Sequence, residues 1–442
     1  MTRVGMISLG CSKNLVDSEV MLGHLAEAGY EVTNDASEAD VLIVNTCGFI
    51  RDAKQESIDS ILEMAGYKVT GGRLKRLIVS GCLAERYKEE LLREMPEIDG
   101  ILGIGAVNQI VDIVTRALNG ERVASFPPPA EDGRPHPRLQ VTPPHTAYLR
   151  VSDGCSNRCS YCAIPDIRGG LRSRPIEALV RDAEAMAERG VRELILVAQD
   201  LTAYGLDLYG RDALPELVGR LAGFKAFKWI RLMYCYPTRV SERLIDVMSR
   251  EPSVCRYIDI PLQHASPDVL KRMNRPSDPE AFASLIGRLR SALPGIAVRT
   301  TFLVGFPGET EDDFRRLLEF ISRMRFDRAG VFEYSREEGT PAAEFLPQVP
   351  RSVKRERVKR AVLLQKGISR EINESMVGEE IETLIESVEP SGTCVGRTYR
   401  DAPEVDGRIF VKGCSASPGS FVKVKVTGAS NYDLAGEASC VP

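Results

Sequence analysis

Hydrophobic and polar positions along this chain fall into three successive patterns. Over residues 1–120, short apolar runs at 4–9, 41–44, 77–79 and 101–104 alternate with stretches at 14–28, 53–65 and 85–94 whose apolar residues recur at helical spacing. Strands alternating with helices predict an open α/β domain on a parallel sheet. From residue 146 the alternation resumes with a longer period, and the runs 146–151, 193–198, 229–234, 257–262, 298–304 and 330–334 predict six further strands. Between them lie helical stretches such as 175–189, with Ile176, Leu179, Val180, Ala183 and Ala187 on one face. Another is 312–325, opened by Thr310 as N-cap with Asp313 three residues on. Six βα units predict a barrel or a partial (β/α)6 barrel, with reactive groups at the C-terminal ends of its strands. Beyond residue 377 the pattern turns to short strands, 380–386, 394–399, 408–411 and 421–427, divided by Gly and Pro turns. They predict a small antiparallel β-barrel of about 65 residues.

Residues 127–144 carry seven prolines in eighteen positions, a composition that excludes a helix or a central strand and predicts a linker. The expected division is therefore an α/β domain over 1–125, a linker over 126–144, a barrel over 145–372 and a terminal β-barrel over 376–442. The barrel over 145–372 ends in a basic helix, 351–370, with Arg351, Lys354, Arg355, Arg357, Lys359, Arg360, Lys366 and Arg370 against the single acid Glu356. Such a helix is either a solvated connecting face or a contact for a polyanion.

Composition narrows the class. With 27% charged and 43% hydrophobic residues, a disordered or fibrous chain is excluded. No apolar run approaches the ~20 residues of a spanning helix, and the first residues lack a signal-peptide pattern, so a cytoplasmic protein without membrane contact is expected. A net charge of −4 argues against coating nucleic acid by bulk charge. Eleven cysteines, an odd number in a long chain, read as metal ligands, catalytic thiols or core filler rather than as a disulfide framework.

Cys155, Cys159 and Cys162 stand in a C-x3-C-x2-C spacing just after the first barrel strand. Structural zinc wants four ligands, and no fourth cysteine or histidine lies nearby. Three thiolates can hold a 4Fe–4S cluster by three irons and leave the fourth open to a ligand. A second set, Cys11, Cys47 and Cys82, has each member just past the end of a separate predicted parallel strand. Ligands bind at that edge of open α/β sheets, and three converging thiols again suggest a cluster with an exposed iron.

The first spacing, with Tyr161 before its last cysteine, resembles the radical S-adenosylmethionine (SAM) superfamily over roughly residues 145–370. Val197-Ala198-Gln199-Asp200 and Gly305-Phe306-Pro307-Gly308-Glu309 are similar to stretches that support SAM there. The resemblance implies cofactor contacts at Tyr161, Gln199, Asp200, Gly305, Gly308 and Glu309. It also implies cleavage of SAM to a 5′-deoxyadenosyl radical that abstracts hydrogen from carbon. Two three-cysteine sets with a small terminal barrel resemble the radical SAM methylthiotransferases over essentially the whole chain. The terminal barrel is similar to that family's TRAM domain. This implies two 4Fe–4S clusters, SAM as methyl donor and radical source, an electron donor such as flavodoxin or ferredoxin, and no side chain acting directly as catalyst.

The family has two main branches, one modifying a tRNA adenosine and the other an aspartate β-carbon in a small-subunit ribosomal protein of the S12 type. Gly10-Cys11-Ser12-Lys13-Asn14, the stretch 162–169 and Asp401-Ala402-Pro403-Glu404-Val405-Asp406-Gly407 resemble the second branch. The tRNA branch usually carries glutamine after its first cysteine and a more basic loop after the third radical SAM cysteine. Residues 376–442 hold ten acids against six bases, a balance that suits a basic protein partner better than RNA. tRNA stays the alternative substrate, and a non-catalytic iron–sulfur protein for electron transfer or assembly is the alternative of a different class. Cys235, Cys255, Cys394, Cys414 and Cys440 have no ligand spacing and read as structural. His264 ends a barrel strand and either lines the site or supports it. Asp200 and Glu309 are candidates for proton transfer.

Overall fold

A computed structural model of the chain describes residues 1–69, 72–129, 136–275 and 278–439. Residues 130–135 of the proline-rich stretch, and Cys440, lie outside the described residues. Six strands, β1 (Arg3–Ser8), β2 (Glu31–Thr33), β3 (Val41–Thr46), β4 (Arg76–Gly81), β5 (Gly100–Leu102) and β6 (Val123–Ser125), form a sheet in the order β2-β1-β3-β4-β5-β6. Every pair is parallel. β3 is buried at all six positions, which is why it reads as an unbroken apolar run. β2 and β6 escaped the sequence pattern because each has three residues and at most one is buried.

The second sheet has the order β7-β10-β11-β12-β13-β14, all parallel and open at both ends. Its strands are β7 (Thr146–Arg150), β10 (Glu193–Val197), β11 (Trp229–Leu232), β12 (Val254–Asp259), β13 (Ala297–Val304) and β14 (Arg328–Glu333). A short antiparallel pair, β8 (Ser152–Asp153) with β9 (Arg172–Ser173), follows β7. Helices Ile176–Glu188, Leu214–Ala222, Glu242–Arg250, Pro279–Ala292 and Glu311–Met324 connect the six strands. The last is opened by Thr310 and Asp313 in a reciprocal capping box. A half barrel leaves its concave face uncovered, and here that face carries Tyr148, Ile195, Val197, Trp229, Met233 and Tyr257. The other two domains cover it: Leu15 and Val16 from helix Ser12–Glu27, and Leu384 and Ala402 from the terminal barrel.

That barrel closes as β15-β16-β17-β19-β18, with β15 (Glu380–Val388), β16 (Cys394–Thr398), β17 (Ile409–Lys412), β18 (Phe421–Ala429) and β19 (Leu434–Ala438). Four pairs are antiparallel. The fifth, β17 with β19, is parallel, because β18 has already reversed the chain between them. β19 was not foreseen, since Leu434-Ala-Gly-Glu-Ala offers one large apolar residue. Cys394 and Cys414 are joined as a disulfide with 6.0 Å between their Cα atoms, so they are structural as a bonded pair rather than as separate core thiols.

The proline-rich stretch is a strap, not a loose tether, where it is described. Gly23 of helix Ser12–Glu27 admits it so closely that an added Cβ would lie 2.4 Å from the Pro137 carbonyl. Leu139 N–H donates to the Glu19 carbonyl (3.0 Å), Val141 N–H to the Glu19 carboxylate (2.9 Å), and Arg138 pairs with that carboxylate. In the basic helix, found at Arg351–Glu374, two of the eight bases turn inward. Lys354 Nζ donates to the Tyr334 carbonyl (2.7 Å) and Arg357 to Glu309 (2.9 Å).

The terminal barrel docks on the half barrel through buried charges. Glu193 receives Arg231 (2.8 Å) and Arg397 (2.5 Å), Arg328 meets Asp401 (2.7 Å), Arg400 meets Asp327, and Arg299 reaches Asp406 (3.3 Å). This seam takes up two acids and two bases of the terminal barrel, so the rest keeps its excess, eight acids against four bases. Burial pushes the Glu193 carboxyl up, but Arg397 and Arg231 outweigh it and hold it at about 2, from an ordinary 4.5. Arg397→Met is therefore expected to cost about 3–5 kcal/mol, read as a lower urea midpoint. A depressed carboxyl stabilises above its unfolded value and loses that contribution as pH falls toward 2. The deficit of the variant should accordingly shrink between about pH 4.5 and 2.

Candidate functional site

Cys11, Cys47 and Cys82 lie just past the C-terminal ends of β1, β3 and β4, three adjacent strands of the first sheet. The strand order reverses direction between β1 and β3, the position where open α/β sheets bind ligands. Cys11 is the N-cap residue of helix Ser12–Glu27, and Cys82 is the first residue of helix Cys82–Glu94. Cys47 is fixed through its backbone, whose N–H donates to Ser57 Oγ (3.0 Å) while that hydroxyl donates to the Cys47 carbonyl (3.0 Å). Asn14 Nδ2 donates to the Thr46 carbonyl (2.9 Å), and Asn45 Nδ2 to the Asn14 carbonyl (2.8 Å), tying the helix that follows β1 to the end of β3.

A glycine beside each cysteine lets these ends approach. A Cβ on Gly10 would lie 2.9 Å from Cys47 Cβ, and one on Gly48 would lie 2.7 Å from the Cys82 carbonyl oxygen. Gly81 has φ +91° and its Cβ would fall 2.3 Å from Asn45 Oδ1 and 2.5 Å from the Thr46 carbonyl. Gly81→Ala is expected to spread the triplet and to destabilise the domain by about 1–3 kcal/mol. Thermal unfolding of the apoprotein and iron content after reconstitution check this.

Cys155, Cys159 and Cys162 occupy the loop after β8. Cys155 N–H donates to the Gly169 carbonyl (3.0 Å) and Cys162 N–H to the Cys159 carbonyl (3.1 Å). Ser160 anchors the loop: its N–H donates to the Met273 carbonyl (3.0 Å), its Oγ to the Arg272 carbonyl (2.7 Å), and its own carbonyl receives Ala342 N–H (2.8 Å). Arg275 lies with Nη1 4.0 Å from Cys159 Sγ, Nη2 donating to the Pro261 carbonyl (2.6 Å), and its guanidinium 4.2 Å from the Tyr236 ring centre.

All six thiols line one cavity of about 370 Å³ between the α/β domain and the half barrel. Lys13, Phe49, Tyr161, Arg168, Gln199, Asp200, Tyr234, Cys235, Tyr236, Gln263 and Arg275 share the lining. Arg168 is the bolt across it, donating to Asp153 (3.1 Å) on the barrel side and to Asn14 (2.6 Å) and Asp17 (2.9 Å) on the other. Burial pushes Cys47 up to about 11 and Cys162 up to about 12, and raises Cys82 and Cys155. At Cys11 burial also acts upward, but the Lys13 and Arg168 charges outweigh it and hold that thiol below its usual value. Thiols kept protonated by burial become ligands when a metal displaces the proton. Among the described residues no three or more His, Cys, Asp or Glu groups are arranged to hold a single metal ion. Gln199 Oε1 is buried without a hydrogen-bond partner, an acceptor for a cationic group entering the cavity.

The structure separates the other expected cofactor contacts. Tyr161, Gln199 and Asp200 reach the cavity. Asp200 is engaged by Asn157 (2.7 Å), Arg239 (2.6 Å) and Thr202 (2.7 Å), so it braces the cysteine loop. Gly305, Gly308 and Glu309 lie outside the lining. Glu309 is buried against Phe306 N–H (2.9 Å) and Arg357, and burial pushes its carboxyl up to about 7. His264 is fully buried, accepts Ser266 N–H at Nδ1 (2.9 Å) and is pushed down by burial to about 3, a supporting residue and not part of the lining. Sequence reasoning missed Lys13, Tyr234, Tyr236 and Arg275 as lining residues. The signals were faint: Lys13 stands two residues after a cysteine, and the tyrosines follow the end of β11.

Three family models match the chain: the uncharacterized protein family UPF0004 over residues 3–103, the radical SAM superfamily over 149–321 and the TRAM domain over 377–438. A protein of Desulforudis audaxviator described as ribosomal protein uS12 methylthiotransferase RimO is 53% identical over 98% of this chain and 96% of its own length. One of the same description from Desulforamulus reducens is 51% identical over 99% of each. Among solved structures, the radical SAM methyltransferase TsrM of Kitasatospora setae has the same fold, with a TM-score of 0.56, 17% identity and coverage of 86% of this chain and 79% of that one.

Proposed function

The chain belongs to the family of ribosomal protein uS12 methylthiotransferases, and on that premise we propose that it adds a methylthio group to the β-carbon of an aspartate in that ribosomal protein. Radical SAM membership implies SAM and a 4Fe–4S cluster, which we assign to Cys155, Cys159 and Cys162. A second 4Fe–4S cluster is assigned to Cys11, Cys47 and Cys82. The observation that carries this reading is the convergence of both triplets on one cavity. When bound, these groups supply the cleavage of one SAM, the methyl of another and a sulfur atom, so that a C–H bond is exchanged for C–S–CH3 and the hydrogen leaves in 5′-deoxyadenosine. The electron comes from a low-potential carrier such as flavodoxin or ferredoxin.

The protein's own residues orient and enclose. Arg168 holds the two halves in register, Asp200 and Ser160 fix the loop that carries the second triplet, and Gln199 offers its free oxygen to the amino group of SAM. Phe49, Tyr161, Tyr234 and Tyr236 wall the cavity and exclude water from a reactive intermediate. The eight-to-four excess of acids on the terminal barrel favours a basic protein partner, and the site of action is the cytoplasm. Reconstituted enzyme with reductant and SAM should add a methylthio mass to the ribosomal protein in small subunits and leave tRNA unmodified, as read by mass spectrometry. Modification of tRNA alone would overturn the reading, as would iron–sulfur clusters without SAM turnover.

A further inference from the structure

Three cations and one acid line the cavity. Arg168 is answered by Asp153 and Asp17. Arg275 is committed to the Pro261 carbonyl, the Tyr236 ring and Cys159. Asp200, the acid, is taken by Arg239, Asn157 and Thr202. Lys13 is different. The residue is 7% exposed, its ammonium lies 3.5 Å from the centre of the Tyr234 ring with the Cys11 thiol and Tyr234 as the groups that favour its charge, and among the described residues, as for Arg275, no carboxylate pairs with it.

A buried ammonium is costly unless something of opposite charge meets it, and an aromatic face offsets only part of that cost. Here the face belongs to the half barrel and the lysine to the α/β domain, so the cation bridges the two domains in the cavity that both thiol triplets line. We infer that Lys13, resting on Tyr234, binds the side-chain carboxylate of the residue to be modified and thereby selects an acidic target. The inference rests on the function proposed above and adds the residue that recognises the substrate. A lysine suits this role because its stem is flexible and its charge compact, so it can leave the ring for an arriving carboxylate. Once there, the carboxylate sits one bond from the β-carbon of an aspartate, which is thereby held in the cavity that both triplets line. The same contact discriminates against asparagine, which brings no charge to balance the lysine.

The test uses the reconstituted full-length enzyme and two labelled peptides spanning the modified segment of the ribosomal protein, one with the target aspartate and one with asparagine there. Fluorescence anisotropy should give the wild type a preference for aspartate of roughly tenfold or more. Lys13→Met should bind both peptides within about twofold, while Lys13→Arg keeps part of the preference. The ratio is internal to each variant, so a reduced folded fraction does not change it. Iron content and the cluster absorption band are read in parallel. A Lys13→Met enzyme that retains the full aspartate preference overturns the inference. So does one that retains the preference while losing iron, which would make Lys13 a charge support for the Cys11 site. A wild type that methylthiolates the aspartate peptide yet shows no preference overturns the inference alone. A wild type that modifies neither peptide and modifies tRNA overturns the functional reading with it.

Discussion

Cys159→Ala should reduce 5′-deoxyadenosine formation by roughly a thousandfold or more, because losing one of three thiolates removes the cofactor rather than weakening one contact. The fold should tolerate the change. The cysteine loop is held by Ser160, through its backbone to Met273 and Ala342 and through its hydroxyl to the Arg272 carbonyl, and none of these bonds involves the Cys159 sulfur. What the sulfur does touch is Arg275, whose Nη1 lies 4.0 Å away and whose other contacts, to Pro261 and the Tyr236 ring, survive. The thermal midpoint of the apoprotein should therefore stay close to wild type while the reconstituted iron falls by about four atoms per chain. Cys155→Ala and Cys162→Ala should behave alike. A variant with wild-type iron and measurable SAM cleavage would show that the loop is not the cluster site.

How much of this was legible in the chain depended on the range of the interaction. All six barrel strands and the capped helix at 311–324 could be read, because each is written in a local period or in two residues three apart. The six cysteines were legible too: Cys155, Cys159 and Cys162 by their spacing in one loop, and Cys11, Cys47 and Cys82 because each follows a strand and strands of a parallel sheet end on one edge. The shared cavity was not, since nothing local says that the edge of the first sheet faces the mouth of the half barrel. That juxtaposition comes from long-range pairs, Arg168 with Asp17 across 151 residues and Arg86 with Glu337 across 251. Such pairs leave no periodic trace. Gly305, Gly308 and Glu309, which the resemblance places at the cofactor, lie outside the cavity lining: Gly305 packs on Lys354, Gly308 on Arg272, and Glu309 receives Arg357. The acid excess of the terminal barrel was legible as a count, but which acids face outward was not. Asp401 and Asp406 turn into the seam, and only the equal burial of Arg397 and Arg400 leaves the balance unchanged.

Cys47→Ala should separate the two halves of the reaction. The thiol sits on the α/β domain and contributes nothing to the loop that holds Cys155, Cys159 and Cys162, so SAM should still be cleaved when reductant is supplied. Its backbone is fixed by Ser57 through both N–H and carbonyl, so truncation to Ala leaves the strand end in place. The added space lies against Gly10, whose hypothetical Cβ would stand 3.2 Å from the sulfur, in a half-exposed position where a lost sulfur leaves no sealed void. The expected chain carries about four irons in place of about eight, forms 5′-deoxyadenosine without product, and loses methylthiolation by roughly a hundredfold or more. Because Arg168 still bolts the domains together, peptide binding should persist, which distinguishes a missing sulfur source from a collapsed cavity. Iron analysis, 5′-deoxyadenosine and the methylthio mass, measured on one preparation, decide it: product formed at wild-type yield would remove the α/β domain from the chemistry and leave its three thiols as core residues.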